Sequence, residues 1–343
     1  MSNQSRFCRT SLLGFACLAV LGATPADEIR LPISGPYTHE NLSVFLIHGK
    51  TRQEAKSYLT LQEAMQQKKV VVYETGSVNE LAVENQSGED VYIQSGDIVK
   101  GGRQDRVLTD DYVLPARSGR VPVASFCVEH GRWTKRGAEA ADRFGSSDKA
   151  LAGKQLKMAA RTPHAQAEVW NQVAAVEARM ADGVAAGVAG AAPPPPAAIV
   201  PASGSMQLTL ENKDVAAATD AYVRDLAKIA DARKDVVGYA FAINGKVNSA
   251  DIYASADLFR RMWPKLLHAS AAEALAERQN GKTYPAVDVS AVRDAMAQAE
   301  GGRESSRQVG KLVVVRKDAG TALLFETRDG EGGAWLHKSY VVK

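Results

Sequence analysis

The sequence predicts an α+β protein of one domain, residues 27–343, with an antiparallel, β-rich core of sandwich or barrel type and helices at its periphery. In residues 27–145, short apolar segments recur close together between glycine- and proline-containing turns, which is typical of antiparallel sheets. In residues 146–182 the pattern changes to alanine-rich stretches with apolar residues at helical spacing, and residues 207–343 mix both patterns.

The first 26 residues have the pattern of a secretory signal peptide. Arg6 and Arg9 precede a short apolar run, Leu12–Val20, and small residues follow it. A basic head, an apolar centre too short to span a bilayer comfortably and small residues before a cleavage site characterise such signals. We therefore expect a periplasmic or secreted protein with no membrane span after cleavage. A lipoprotein signal at Cys17 is the alternative.

Composition excludes several classes of function. The formal net charge is +3, from 42 basic and 39 acidic residues, and no lysine or arginine block occurs, which argues against a nucleic-acid surface. Loss of Cys8 and Cys17 with the signal would leave Cys127 alone, so no intrachain disulfide is expected. No histidine pair has ligand spacing and no phosphate-binding loop is present, so we expect neither a metal nor a cofactor.

The elements of the first half follow from local patterns. Leu42–Ile47 is almost wholly apolar and predicts a buried strand. Thr60 and Glu63 form a capping box, so a short helix should begin there. Further strands are predicted over Val70–Tyr73, Leu81–Val83, Val91–Ile93, Asp97–Val99, Val107–Leu108, Tyr112–Leu114 and Val121–Val128. Pro115 and Pro122 should confine the last two to sheet edges or strand starts.

The second half should alternate helices with strands. Helices are predicted over Lys149–Ala160, Pro163–Ala181, Asp214–Asp231, Ser255–Leu267 (with Pro264 kinking or restarting it) and Val289–Gln298. Strands are predicted over Val236–Ile243, Ile252–Tyr253, Leu312–Val315, Ala322–Glu326 and Ala334–Val342, with a tight hairpin at Asn244–Gly245. Residues 183–206, rich in alanine and proline, predict a disordered surface insert.

Arginines and acids gather among strand-like residues in Ile98–Trp133. Gly101–Gly102 interrupts a strand pattern there, which predicts a bulge or a close approach of two backbones. Guanidiniums can bind carboxylate or phosphate, and charges on a buried face must be paired. The stretch is therefore either a salt-bridged structural network or a site for an anionic ligand. The predicted ligand residues are Gly101, Gly102, Gln104, Asp105, Arg106, Glu129 and Arg132.

Catalysis has weaker support in the sequence. Asp105 or Glu129 could act as a general base, and Cys127 could act as a nucleophile if a neighbouring base or cation lowered the pKa of its thiol. A buried, inert thiol is the ordinary alternative for a lone cysteine. No strong catalytic motif accompanies these residues, so the sequence favours a protein that is not an enzyme.

Two segments carry a family resemblance. Ser95–Trp133, with GGxQDR at residues 101–106 and CVExGRW at residues 127–133, resembles the signature of a prokaryotic domain family of unknown function. That family is named for association with ADP-ribosylglycohydrolases and rhodanese-like phosphatases. Val236–Leu267 is similar to the family's second recurring block. The resemblance implies one domain over most of the mature chain and points to metabolism of NAD or ADP-ribose derivatives.

The leading hypothesis is an exported binding or sensing module for an anionic small molecule of the ADP-ribose or NAD type. One alternative is a hydrolase or transferase that acts on such a molecule, with Glu129 or Asp105 as general base. Another is a structural or envelope-interaction protein, in which the charged cluster would be buried and paired with itself.

Overall fold

The structure, a computed structural model, describes residues 30–52, 55–161, 166–187, 193–231, 233–331 and 333–343. The side chains of residues 148–150 are not described. The predicted signal peptide lies outside this range. In the part of the chain that is described, no helix has the length and apolarity to cross a bilayer.

The strands are β1 (Ile33–His39), β2 (Leu42–His48), β3 (Leu59–Thr60), β4 (Val70–Glu74), β5 (Glu80–Asn85), β6 (Val91–Ile93), β7 (Asp97–Gly101), β8 (Arg106–Leu108), β9 (Tyr112–Leu114), β10 (Gly119–Cys127), β11 (Phe144–Leu151), β12 (Val236–Ile243), β13 (Lys246–Tyr253), β14 (Arg303–Val309), β15 (Leu312–Asp318), β16 (Ala322–Asp329) and β17 (Trp335–Val342). The helices are α1 (Leu61–Gln66), α2 (Lys154–Ala160), α3 (Gln166–Gly187), α4 (Met206–Glu211), α5 (Lys213–Leu226), α6 (Ala256–Ala276) and α7 (Val289–Glu300).

One antiparallel sheet has the strand order β1-β2-β12-β13-β17-β16-β15-β14. Its central strands are buried on both faces. Leu42 and Leu46 of β2 pack in the core under α5 and α6, whereas Phe45 and Ile47 pack in the core that includes α7. Because successive strand residues point to opposite faces, two-sided burial demands an almost continuous apolar run. This confirms and explains the predicted buried strand.

A second sheet has the order β11-β7-β8-β10-β5-β4 and nearly closes into a barrel. Tyr73 of β4 forms a bridge with Arg143, directly before β11, and the Glu74 N–H donates to the Asp142 carbonyl at 3.0 Å. The short sheet β3-β6-β9 contributes Leu59 and other residues to the same core. The predicted antiparallel, β-rich α+β fold is therefore confirmed. Of the sandwich and barrel arrangements that the sequence allowed, the structure has the barrel-like one.

Helices cover the barrel and join it to the large sheet. Val107 and Val128 pack outward against Leu156 of α2 and Val173 of α3. Leu108, next to Val107 in β8, packs in the barrel core instead. The strands that carry the charged stretch are thus buried on both faces. A polar side chain there must find its hydrogen-bond partners within the protein, because water cannot reach it.

Several local predictions are confirmed. Thr60 caps α1, accepting from the Glu63 N–H at 3.2 Å while Glu63 Oε2 accepts from the Thr60 N–H at 2.9 Å. Asn244 and Gly245 have φ of 53° and 75°, as a tight hairpin between β12 and β13 requires. Pro122 lies in the part of β10 that pairs with β5 alone, so β10 has no neighbour there on its other side among the described strands.

Other predictions are corrected. The helix expected over Lys149–Ala160 starts later than predicted, because β11 extends to Leu151 and α2 begins only at Lys154. The antiparallel pairing of β11 with β7 outweighs the helix propensity of the residues at its end. Of the two outcomes expected at Pro264, a restart is wrong, because α6 is continuous across it; a kink stays a prediction. Burial of most of its length compensates the lost backbone hydrogen bond.

The insert, predicted to be disordered, has local structure in much of its described part. Its start, through Gly187, completes α3, and Pro196–Ala198 form a 3-10 turn. Ile199 is only 2 % exposed and Met206 is 3 % exposed, and both pack in the core beside the barrel. Apolar side chains that follow the prolines therefore anchor this segment; residues 188–192 lie outside the described range.

Candidate functional site

The loop between β7 and β8 is built around two glycines. Gly101 has φ of 116° and Gly102 has φ of 54°. A Cβ on Gly102 would lie 2.4 Å from the ring of Phe144, so only glycine fits there. The turn brings the Gly101 N–H to 2.9 Å from Asp105 Oδ1. A Cβ on Gly101 would lie 3.2 Å from the Arg143 carbonyl oxygen, so the predicted close approach of two backbones is confirmed. The turn also fixes the Asp105 carboxylate.

Asp105 is completely buried and its two oxygens accept hydrogen bonds from several donors. Oδ1 accepts from the Gly101 N–H and from Arg136 Nη2 at 3.2 Å, and lies 3.4 Å from Arg132 Nη2. Oδ2 accepts from Arg136 Nη1 at 3.0 Å and from Ser205 Oγ at 2.8 Å. We call Asp105, Glu129, Arg132, Arg136 and Ser205 the Asp105 network.

Glu129 is the second buried carboxylate of this network. Its Oε2 accepts from Arg132 Nε at 2.8 Å and from the Asp105 N–H at 3.3 Å. Arg132 also donates to the carbonyls of Gly102 at 3.0 Å and Gly101 at 3.2 Å. Glu129 Oε1 is buried without a hydrogen bond, with Arg136 Nη1 at 3.6 Å. The arginine therefore ties the glycine turn to the end of β10.

Arg106 has a different set of partners. It is fully buried, pairs across the sheet with Cys127, and extends toward the end of the barrel. Its Nη1 donates to the Gln104 carbonyl at 3.0 Å, and its Nη2 lies 3.4 Å from Glu74 Oε2. Its guanidinium carbon is 5.6 Å from the ring centroid of Trp133. Arg106 and Arg132 thus bind different carboxylates instead of facing one common group.

The predicted site residues are therefore brought close together, but most of their polar atoms bind one another. Gln104 Nε2 donates to the His130 carbonyl at 3.4 Å, while its Oε1 is buried without a partner. Three further residues of this region, Glu74, Arg136 and Ser205, were not predicted from the sequence. Glu74 and Ser205 are distant along the chain, and Arg136 follows the recognised motif, so no spacing within the motif indicated them.

The environment of Cys127 does not favour a thiolate. Its side chain is buried, with Sγ 3.9 Å from the Val78 carbonyl oxygen. Burial raises the pKa of the thiol to about 11, although the nearby Arg106 opposes this shift. Because nucleophilic cysteines need a lowered pKa, the geometry supports the inert alternative that the sequence left open. Asp105, with both oxygens occupied, is poorly placed to accept a substrate proton.

The solvent-facing part of this region is formed by Arg103 and Trp133, which we call the Trp133 rim. Trp133 is 43 % exposed, and the Arg103 guanidinium carbon lies 5.5 Å from its ring centroid. Arg103 is exposed and forms no ion pair within the described residues. Val78, at 40 % exposure, lies on the neighbouring loop. An aromatic ring and an available guanidinium are thus presented beside the buried charges.

A second buried polar cluster lies between the barrel and the large sheet. His337 Nδ1 is 2.8 Å from Asp111 Oδ2 and its Nε2 is 3.0 Å from Asp251 Oδ1, while Tyr253 stacks on its ring at 4.6 Å. Burial lowers the pKa of His337, but the two carboxylates outweigh it and raise the pKa to about 9. This links a barrel loop to β13 and β17. In the described region, no group of three or more acidic, histidine or cysteine side chains could hold a metal ion.

Fold and site together define a nearly closed antiparallel β-barrel joined to a larger sheet, with a buried arginine–carboxylate network at one end of the barrel. The family model of the ARG and Rhodanese-Phosphatase-superfamily-associated Protein domain, ARPP-1, matches residues 30–341. The chain belongs to this family, as its motifs predicted. No curated protein and no solved structure matches the chain.

Proposed function

We propose that this protein is an exported, non-catalytic binding module that takes an anionic, nucleotide-like ligand at the Trp133 rim. Export is proposed from the N-terminal signal pattern. The ligand class is proposed from the chemistry of Arg103 and Trp133, and the family's named association favours ADP-ribose or NAD derivatives within that class.

The observation that carries the proposal is the exposed indole of Trp133 beside the exposed guanidinium of Arg103. Bases stack on exposed aromatic rings, and each such contact contributes about 1–3 kcal/mol. Guanidiniums bind phosphate through two parallel hydrogen bonds. A ligand with a ring system and a phosphate would use both groups, whereas inorganic phosphate would use only Arg103.

The buried charges support this rim by fixing its backbone. Arg132, directly before Trp133, is held by Glu129 and by two carbonyls of the glycine turn that precedes Arg103. Both rim residues are therefore anchored at their bases by one network. In this proposal the predicted ligand residues Gly101, Gly102, Gln104, Asp105, Glu129 and Arg132 position the rim, and Arg106 lies beneath Trp133. Preorganised side chains bind with a smaller loss of conformational entropy.

Calorimetric titration with ADP-ribose, NAD and inorganic phosphate tests the proposal. We expect ADP-ribose or NAD to bind saturably and the double variant Arg103→Ala/Trp133→Ala to lose about tenfold or more in affinity, since stacking and ion pairing are both removed. Arg120→Ala is the matched control, because Arg120 stacks on Tyr73 at 4.0 Å elsewhere on the barrel. Failure of both nucleotides to bind the folded protein, or equal affinity in the double variant, would overturn the proposal.

A further inference from the structure

A cavity of about 220 Å³ lies between the barrel and the large sheet, away from the Asp105 network. The short sheet β3-β6-β9 and its flanking residues form one wall, with Tyr58, Asp90 and Val113. The turn before β15 and the facing ends of β16 and β17 form the other, with Lys311, Asp329 and Trp335. None of these residues belongs to the predicted site. The volume suits a small molecule of few heavy atoms, below the range of drug-sized ligands.

One part of the wall is acidic. Burial, and to a smaller extent the nearby Asp90 and Asp329 carboxylates, raise the pKa of the Tyr58 phenol to about 12. Asp90 Oδ1 accepts from the Ala116 N–H at 2.9 Å, and Asp329 Oδ1 accepts from the Glu331 N–H at 3.0 Å. Within the described residues, the second oxygen of each carboxylate accepts no hydrogen bond. Two oxygens and a phenol are thus available near one another for a cationic group.

Another part of the wall is basic. The Arg52 guanidinium carbon lies 5.4 Å from the ring centroid of Trp335. Lys311, in the turn between β14 and β15, is exposed and forms no ion pair with any described residue. The lysine ammonium is a compact charge on a flexible side chain, so it can move to pair with the carboxylate of a bound ligand. The cavity therefore offers both signs of charge to whatever occupies it.

The remaining surface is apolar and aromatic. Val113, Leu312 and Leu336 line the cavity together with the rings of Tyr58 and Trp335. Ligand sites commonly combine such an apolar lining with a few polar groups that fix orientation. A purely ionic ligand would leave this lining unused, and a purely apolar one would leave the charges unpaired.

We propose that this cavity binds a small zwitterion of the amino-acid class with an apolar side chain. Its ammonium lies against Asp90, Asp329 and Tyr58. Its carboxylate faces Lys311, and its side chain packs on Trp335 and the neighbouring leucines. This site is separate from the Trp133 rim, and the proposal does not depend on nucleotide binding there.

Calorimetric titration of the full protein with L-leucine and L-phenylalanine tests the proposal. We expect saturable binding of at least one of them. Leucine methyl ester, which lacks the carboxylate charge, and N-acetyl-leucine, which lacks the ammonium, should each bind about tenfold or more weakly, because each loses a charge-assisted contact. The same comparison applies to the corresponding phenylalanine derivatives.

Two variants locate the binding. Asp329→Asn keeps an oxygen for the Glu331 N–H but removes the charge, and Lys311→Gln removes the basic group in an exposed turn. Each should weaken binding about tenfold. Lys282→Gln, at the wall of a different cavity, is the matched control and should bind as the wild type does.

Three results would overturn the proposal: no saturable binding of either amino acid, binding of the ester or the acetylated form as tight as that of the amino acid, or binding unchanged in both variants. Arg103→Ala/Trp133→Ala should retain amino-acid binding. Failure at this cavity is therefore distinguishable from failure at the Trp133 rim.

Discussion

Ser205 Oγ donates a hydrogen bond to Asp105 Oδ2 at 2.8 Å, although the two residues are 100 positions apart in the chain. Both side chains are completely buried. Ser205 also forms a backbone bridge with Glu129 and caps α4 through the Leu208 N–H at 3.2 Å. The end of the alanine- and proline-rich insert is thereby fastened to the charged network of the barrel.

Replacement of Asp105 should destabilise the protein severely. Asp105→Asn keeps the size of the side chain but removes one of the two buried carboxylate charges that Arg132 and Arg136 share. Loss of one partner of a buried ion pair costs about 3–5 kcal/mol, and we expect a decrease of that size in the free energy of unfolding measured with urea. Asp142→Asn, in an exposed pair with Arg143, should change it by less than about 0.5 kcal/mol. Equal stability of the two variants would contradict the role given to Asp105.

The Ser205 contact should fix the position of α4. Ser205→Ala removes both the bond to Asp105 and the cap of α4, so we expect a loss of about 1–3 kcal/mol. In this variant, backbone hydrogen exchange should become faster in residues 206–211, with a smaller change in β10. Ser290→Ala removes an exposed hydroxyl from α7 and serves as the control. Unchanged exchange in α4 would show that the helix is held by its apolar contacts alone.

The His337 cluster predicts an alkaline limb in the stability profile. The pKa of His337 is raised from 6.5 to about 9 in the folded protein, so the folded state holds its proton more tightly than the unfolded state. This contribution is fully present below pH 6.5 and is lost as pH rises through about 9. We expect the free energy of unfolding to fall over this interval by more than about 1 kcal/mol.

Asp111 predicts the opposite, acidic limb. Burial alone would raise its pKa, but the His337 imidazolium holds it below the usual range. Its contribution is present above the ordinary carboxyl pKa and is lost as pH falls below that value. His337→Gln should flatten the alkaline limb and weaken the acidic one, whereas the exposed His130→Gln should leave both unchanged. A wild-type profile in the His337 variant would refute the assignment.

Cys127 should be unreactive in the folded protein. Since its thiol is buried and has a pKa of about 11, little thiolate is present at neutral pH. In a chain with Cys8→Ser and Cys17→Ser, iodoacetamide at pH 7.5 should label Cys127 only after urea unfolding. Cys127→Ala should leave any ligand binding at the Trp133 rim intact. Rapid labelling of the native protein would contradict this prediction and support the hypothesis that Cys127 acts as a nucleophile.

Local sequence patterns predicted most of the elements whose formation depends mainly on nearby residues or on simple burial. The Thr60–Glu63 capping box, the Asn244–Gly245 hairpin and the apolar run of β2 all depend on neighbours in the chain or on simple burial. β14, by contrast, was missed because its residues are almost all exposed and show no apolar alternation. It is held as a strand by pairing with β15.

The charged cluster was located from sequence, but the pairing of its charges was not. Arg106 and Arg132 belong to one motif, yet Arg106 pairs with Glu74, and Arg132 pairs with Glu129. The sequence by itself determined the β-rich fold class, the family motifs and the stretch in which arginines and acids meet, because these follow from local propensity and patterning. Only the tertiary structure decided which charges are buried and with whom they pair. Ion pairing depends on distance in space, and the barrel brings Glu74 and Ser205 to the motif from distant parts of the chain.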